Sequence, residues 1–373
     1  MGMLEGRTAL VTGAGRGIGR GIAMALAAEG AKVVVNDLGT RLDGEGKDAS
    51  PAEVVVGEIQ KLGGTAASNH GSVADWDQAH AMVDQVVKLW GRIDILVNVA
   101  GILRDRMIFN MTKEEWQAVL AVHLDGTFFC TRAASVHMRE QKYGRIISMS
   151  SVSALGAPGQ PNYGAAKAGI IGLMYSTANG LSKYGVTANS IMPSGSTRMI
   201  DSTPRGRAFF EQHGKWPSEA AVGTETDPDN VAPLATYLAS EGAGHINGQV
   251  FHSFGFGYSL MVEPVPLRRI EAERRLTPAE VAKLFPSTVG SYFLSPPAPR
   301  SASRCRSGRR ASGRTSATAS ASGRRRGIRR RSSRRDRSRD EREILGAEPL
   351  AGRLGAQRLT RRIRPRRGAA ARP

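Results

Sequence analysis

The chain has 373 residues, a formal net charge of +19 and two cysteines. The charge is concentrated at one end: residues 291–373 carry 25 Arg, no Lys and 5 acidic residues, while residues 1–290 carry 27 basic and 28 acidic ones. A body that holds polyanions by its own charge is thereby excluded, and two cysteines as far apart as Cys130 and Cys305 exclude a disulfide framework and fit a reducing compartment. No apolar run approaches the ~20 residues needed to span a bilayer. With no charged-then-apolar leader before the first apolar run, a soluble, cytoplasmic protein is expected.

In chain order, β-branched and apolar runs at 8–13, 32–37, 64–68, 92–98, 144–150, 186–192 and 248–252 predict strands. Between each neighbouring pair lies a stretch long enough for a helix. Most of the runs are apolar without alternation, as strands covered on both faces are. The pattern predicts an α/β domain over residues 1–260, a doubly wound parallel sheet of about seven strands with helices on both faces. The apolar stretch FHSFGFGYSL, 251–260, is expected to pack a pocket wall or a subunit interface. Residues 261–290 read as a C-terminal extension in which Thr277, Pro278 and Glu280 mark a helix start. Residues 291–373, rich in Arg, Ser and Ala, read as a disordered basic tail. An abrupt loss of Lys in favour of Arg, Ala, Gly, Pro and Ser suits GC-rich codons read out of frame or past a stop. A solvated tail and a polyanion-binding tail are the alternatives.

Thr12 to Gly19 reads TGAGRGIG, after the first strand and at the start of a helix. Such a glycine turn lets the backbone approach a pyrophosphate, which the helix N-terminus then binds. Asp37 closes the second strand, where a carboxylate accepts hydrogen bonds from ribose hydroxyls; a turn or cap Asp is the alternative. Asp37 would repel a 2′-phosphate and favours NAD, while Arg16 pulls toward NADP. Tyr163 and Lys167 lie four residues apart, on one helix face. A phenol exchanges protons poorly at neutral pH unless a neighbouring cation lowers its pKa, and Lys167 could supply that cation. Ser150 ends a strand where its hydroxyl could hold a substrate oxygen. No metal site is expected.

Together these residues resemble the short-chain dehydrogenase/reductase family, whose fold is a Rossmann-type sheet. Thr12–Gly19 matches its T-G-x-x-x-G-x-G loop, Asn98–Gly101 its N-x-A-G segment, and Tyr163 with Lys167 its Tyr-x-x-x-Lys pair. The resemblance implies hydride transfer between a nicotinamide and an alcohol or ketone carbon. It makes Tyr163 the acid/base, has Ser150 orient the oxygen, and gives Lys167 the nicotinamide ribose. Thr12, Gly13, Arg16, Gly17, Ile18, Gly19, Asp37, Asn98, Ala100 and Gly101 would form the cofactor site. Val99 stands where the family has an Asn, Ser194 where Gly is common, and His123 at the place of a catalytic Asn, whose role is not carried over. The segments VVVNDLG and GILRDR, His123 and the insertion 39–50 resemble the (3R)-hydroxyacyl-CoA dehydrogenase unit of multifunctional β-oxidation enzymes. That implies a 3-hydroxyacyl-CoA or similar bulky substrate, with Arg104, Arg106, Arg198, Arg205 and Arg207 around its mouth. A steroid or cyclic-alcohol dehydrogenase is the alternative, and nucleic-acid binding through the tail a weaker one. Self-association into a dimer or tetramer is implied, and no membrane partner.

Overall fold

Each apolar strand run is followed by an amphipathic stretch, so strand and helix alternate along the chain. The computed structural model describes residues 2–41, 45, 46, 48, 50–262, 266, 269–272 and 274–289. Contacts divide the chain into two units, Met1–Arg304 and Cys305–Pro373, and the expected basic tail lies outside the described residues. The first half of the fold runs β1 (Thr8–Thr12), α1 (Gly17–Ala28), β2 (Lys32–Asn36), α2 (Ser50–Lys61), β3 (Thr65–Asn69), α3 (Trp76–Trp90) and β4 (Ile95–Asn98). Next come α4 (Lys113–Leu120), a π-helical turn (Ala121–Asp125), α5 (Gly126–Gln141), β5 (Gly144–Met149), α6 (Pro161–Leu181) and β6 (Val186–Pro193). The remaining elements are α7 (Arg198–Asp201), α8 (Pro204–His213), α9 (Pro217–Ala220), α10 (Ala232–Ala239), β7 (Val250–Phe254), β8 (Gly257–Leu260) and α11 (Pro278–Leu284).

One sheet holds all the strands in the order β3-β2-β1-β4-β5-β6-β7-β8. Pairing is parallel as far as β7, and β8 runs antiparallel to it. Successive side chains of β1 point to opposite faces, so Ala9 and Val11 join Ile22, Leu26, Val55 and Leu238 on one side. Leu10 joins Met82, Val86, Met138, Ile146, Ile170 and Met174 on the other. Helices α1, α2 and α10 therefore cover one face, and α3, α5 and α6 the other. Cys130 belongs to the second cluster, and burial pushes its thiol up to about 12, as suits a core residue rather than a nucleophile.

The seven expected strands are present, with an eighth beyond them. Residues 250–260 form the β7–β8 hairpin, where the sequence predicts a strand only as far as residue 252. Gly255, at φ +58°, supplies the left-handed turn that reverses the chain. Phe-Gly-Phe-Gly carries no polar–apolar alternation, so periodicity conceals the turn. In the extension, the Thr277 hydroxyl accepts from the Glu280 N–H and the Glu280 carboxylate from the Thr277 N–H, the predicted start of α11. No helix among the described residues is long and apolar enough to cross a membrane.

Candidate active site

The strand order reverses between β1 and β4, so the connections beyond them diverge and leave a crevice at their C-terminal ends. A cavity of about 760 Å3 occupies it. Gly13, Arg16, Gly17, Ile18 and Gly19 line it from the glycine loop, with Asp37, Ala100, Gly101, Ser150, Tyr163 and Lys167 around them. Only glycine fits at two of the loop positions. A Cβ on Gly13, at φ +63°, would stand 2.6 Å from the Ala100 Cα, and one on Gly19 only 2.1 Å from the Gly13 carbonyl oxygen. The side chain of Arg16, the N-cap of α1, makes no capping bond, which leaves first-turn N–H groups for an anion.

Asp37 fastens this cradle. One carboxylate oxygen accepts from the Gly15 N–H at 2.8 Å and the other from the Gly39 N–H at 2.7 Å. The loop is thus held against the end of β2 while the carboxylate still faces the cavity. Thr12 and Asn98, both expected at the cofactor, lie beneath it and do not line the cavity. The Thr12 hydroxyl accepts from the Val99 and Ala100 N–H groups at 3.1 and 3.3 Å. The Asn98 amide donates to the Ser148 hydroxyl at 3.1 Å and that of Thr131 at 3.3 Å. Both residues shape the cradle from behind.

Pro161 begins α6, and Asn162 anchors its first turn by donating to the Arg104 and Glu115 carbonyls at 2.9 and 3.1 Å. Tyr163 and Lys167 then project one helical turn apart into the cavity. The Lys167 ammonium is buried, donates to the Met149 carbonyl at 2.6 Å and lies 5.5 Å from the Tyr163 ring centre. Burial pushes its pKa down to about 7. Burial pushes the Tyr163 phenol up to about 12, partly offset by a hydrogen bond from the Ser151 side chain. The Ser150 hydroxyl donates to the Lys167 carbonyl at 2.8 Å. Ser150 lines the cavity with Tyr163 and Lys167, whereas Ser151, which the sequence reading passed over, neighbours the phenol without lining the cavity.

His123 sits in the π-helical turn, 2% exposed, with its ring edge-on to Tyr163 at 5.1 Å between centres. Of the five arginines expected at the mouth, Arg104 and Arg198 line the cavity. Arg198 donates to the Thr40 carbonyl at 3.0 Å, whereas Arg106 pairs with Glu115 at 2.7 Å. Arg205 and Arg207 are exposed on α8 and do not line it. Thr197, unmarked by the sequence reading, packs over the cradle: a Cβ on Gly17 would meet its methyl at 3.1 Å.

A family model described as Enoyl-(Acyl carrier protein) reductase, of the adh_short_C2 type, matches residues 13–257. The chain belongs to the short-chain dehydrogenase/reductase family. It is an oxidoreductase. A crystal structure of a short chain dehydrogenase from Mycobacterium avium superposes with a TM-score of 0.67 at 40% identity, covering 79% of this chain and 98% of that one. The hydroxyacyl-CoA dehydrogenase ChsB1 of Mycobacterium tuberculosis is 40% identical over 304 residues, 78% of this chain and 89% of the relative. The peroxisomal multifunctional enzyme type 2 of Drosophila melanogaster is 42% identical over 238 residues, 64% of this chain. The chain spans only 37% of that enzyme's length. Family members use NAD(H) or NADP(H), and the cradle fits such a nicotinamide dinucleotide: glycines where a Cβ would collide, an open helix N-terminus, and the Asp37 carboxylate at the end of β2 on the cavity wall.

Proposed function

We propose that the chain is an NAD(H)-dependent dehydrogenase that interconverts a 3-hydroxyacyl thioester and its 3-oxo form. The observation that carries this reading is the cluster of Ser150, Tyr163 and Lys167 on the wall of the cavity beside the glycine cradle. The relatives named as hydroxyacyl-CoA and multifunctional enzymes support the thioester. NAD is favoured by Asp37, whose carboxylate faces the place of the ribose hydroxyls and would repel a phosphate there.

The nicotinamide, when bound, takes the hydride from the carbinol carbon or returns it to the carbonyl. Every proton step falls to the chain. Tyr163, as phenolate, accepts the substrate hydroxyl proton in oxidation and, as phenol, donates it in reduction. Ser150, on the cavity wall with Tyr163, orients the oxygen. Lys167 supplies the positive charge that favours the phenolate. The cavity is walled by Ile102, Val122, Met149 and Met199, apolar side chains suited to an acyl chain, with Arg104 and Arg198 as the cations on its wall that would meet phosphates. We further infer a cytoplasmic dimer or tetramer, with Trp76 and Phe128 left exposed beside α5.

A panel of short and long 3-hydroxyacyl-CoA substrates and cyclic alcohols, run with NAD and with NADP and followed by NADH or NADPH absorbance, tests the reading. Turnover is expected with the thioesters and NAD, and a fall of ~100-fold or more in Tyr163→Phe. Full activity in that variant would remove Tyr163 from the chemistry. Turnover of cyclic alcohols alone would transfer the assignment to a steroid or cyclic-alcohol dehydrogenase.

A further inference from the structure

His123 is a buried residue that the chemistry above does not use. A π turn is a costly irregularity, usually found where it re-aims a side chain at a site. Here it sets the imidazole between the segment after β4 and the catalytic helix α6. Three contacts define the ring. Its Nε2 lies 2.9 Å from the Ile102 carbonyl oxygen and 3.1 Å from the Ile102 nitrogen. A protonated Nε2 donates to the carbonyl and a bare one accepts from the N–H, so the same peptide suits either neutral tautomer. The ring also lies flush on Gly101, where a Cβ would stand 2.3 Å from its Cε1, so the glycine is required by the histidine. Finally it meets the Tyr163 ring at 89°. The other nitrogen, Nδ1, is buried without a partner, and the residue lines the cavity. An imidazolium would bury a second N–H there beside the Lys167 ammonium; burial and that charge push His123 down to about 3.

We propose that His123 is a positioning residue: its ring, hung on the Ile102 peptide, holds the Tyr163 ring at the angle that proton exchange requires. This rests on Tyr163 being the acid/base. The groups that face the phenol are His123 from the π turn, Lys167 from α6, Ser151 from the segment after β5 and Asp105 from the segment after β4. Asp105 raises the phenol further, and the Ser151 side chain opposes burial.

The test compares His123→Ala, His123→Phe and His123→Asn with the parent enzyme, using acetoacetyl-CoA reduction and 3-hydroxybutyryl-CoA oxidation, with near-ultraviolet circular dichroism as the check on folding. Ala and Phe are expected to lower kcat about tenfold or more, with KM for NAD within about twofold. Asn, whose amide can donate and accept at Ile102 but has no ring to set against Tyr163, is expected to regain stability and to stay close to Ala in kcat. Oxidation needs the phenolate, so its kcat/KM rises with pH. Ala admits water beside the phenol and lessens its desolvation, so this rise is expected about one pH unit lower. Structural support alone would cost stability and leave the pH profile in place. The proposal is overturned if the profile and kcat of Ala match the parent, if Phe matches it, or if Asn is as fast as the parent. Should Ala fail to fold, the Asn and Phe variants decide. Tyr163→Phe is run alongside: activity there ends the acid/base reading, whereas its loss beside normal His123 variants ends only the positioning role.

Discussion

At Tyr163, burial and a hydroxyl partner act in opposite directions, and the partner is Ser151. A hydrogen bond to the phenol oxygen favours the phenolate only if the donor stays aimed at it. Ser151 is aimed because its hydroxyl also accepts from the Ser153 N–H at 3.1 Å, which fixes its rotamer at the start of a short helical turn. Ser150 is placed differently: it lines the cavity with Tyr163 and ties the strand end to the Lys167 carbonyl inside α6. The two serines should therefore fail differently. Ser150→Ala is expected to lower kcat/KM by ~100-fold or more. Ser151→Ala should cost about 1 kcal/mol of stability, through the lost bond from the Ser153 N–H, and less activity. Steady-state kinetics and thermal melts of the pair decide it, and the reverse pattern would give the orienting role to Ser151. At this scale residue types and spacing were informative for Tyr163, Lys167 and Asp37, whose chemistry is unusual. They were silent on Ser151 as a neighbour of the phenol, because side-chain direction past a strand end depends on the turn that follows.

At the scale of elements, the cradle exists because α1 can approach β1 and β4 closely. Gly19 is the nearest point of that approach. The obstacle to a larger residue is the Gly13 carbonyl, backbone that has no rotamer to change. Gly57 in α2 is the useful contrast, since a Cβ there meets nothing within 4 Å and the backbone is ordinary helix. Gly57→Ala is expected to stabilise the fold by about 1 kcal/mol through helix propensity. Gly19→Ala is expected to destabilise it and to weaken NADH binding tenfold or more, read by melts and by NADH fluorescence titration. If both changes were benign, the close approach would not govern the cradle. The strand–helix alternation that builds it was legible because both-face burial writes apolar runs into the chain. The π turn was not, since a single extra residue in a helical repeat leaves the apolar spacing almost unchanged. The β7–β8 hairpin was hidden for a related reason: alternating Phe and Gly marks neither face.

For the whole molecule, the distribution of charge matters more than its total. Residues 1–290 are nearly neutral, with 27 basic against 28 acidic side chains, and everything required for the proposed chemistry lies within them. Both core clusters and every residue lining the cavity belong to this part. A chain ending at Gly290 should therefore keep kcat/KM within about twofold of the full-length protein and melt within a few degrees of it. Binding to RNA should behave in the opposite way. The 25 arginines of residues 291–373 would release counterions from a polyanion. Full-length protein is thus expected to bind RNA with an affinity that falls steeply with salt, and the shortened chain to lose most of it. Fluorescence anisotropy across a salt series measures both. Equal affinity in the two would place RNA binding on the body, and loss of turnover on shortening would make the last 83 residues part of the enzyme. The expected split leaves catalysis and charge on separate parts of one chain, so the +19 says nothing about the substrate, whose recognition falls to the cavity and to Arg104 and Arg198 on its wall.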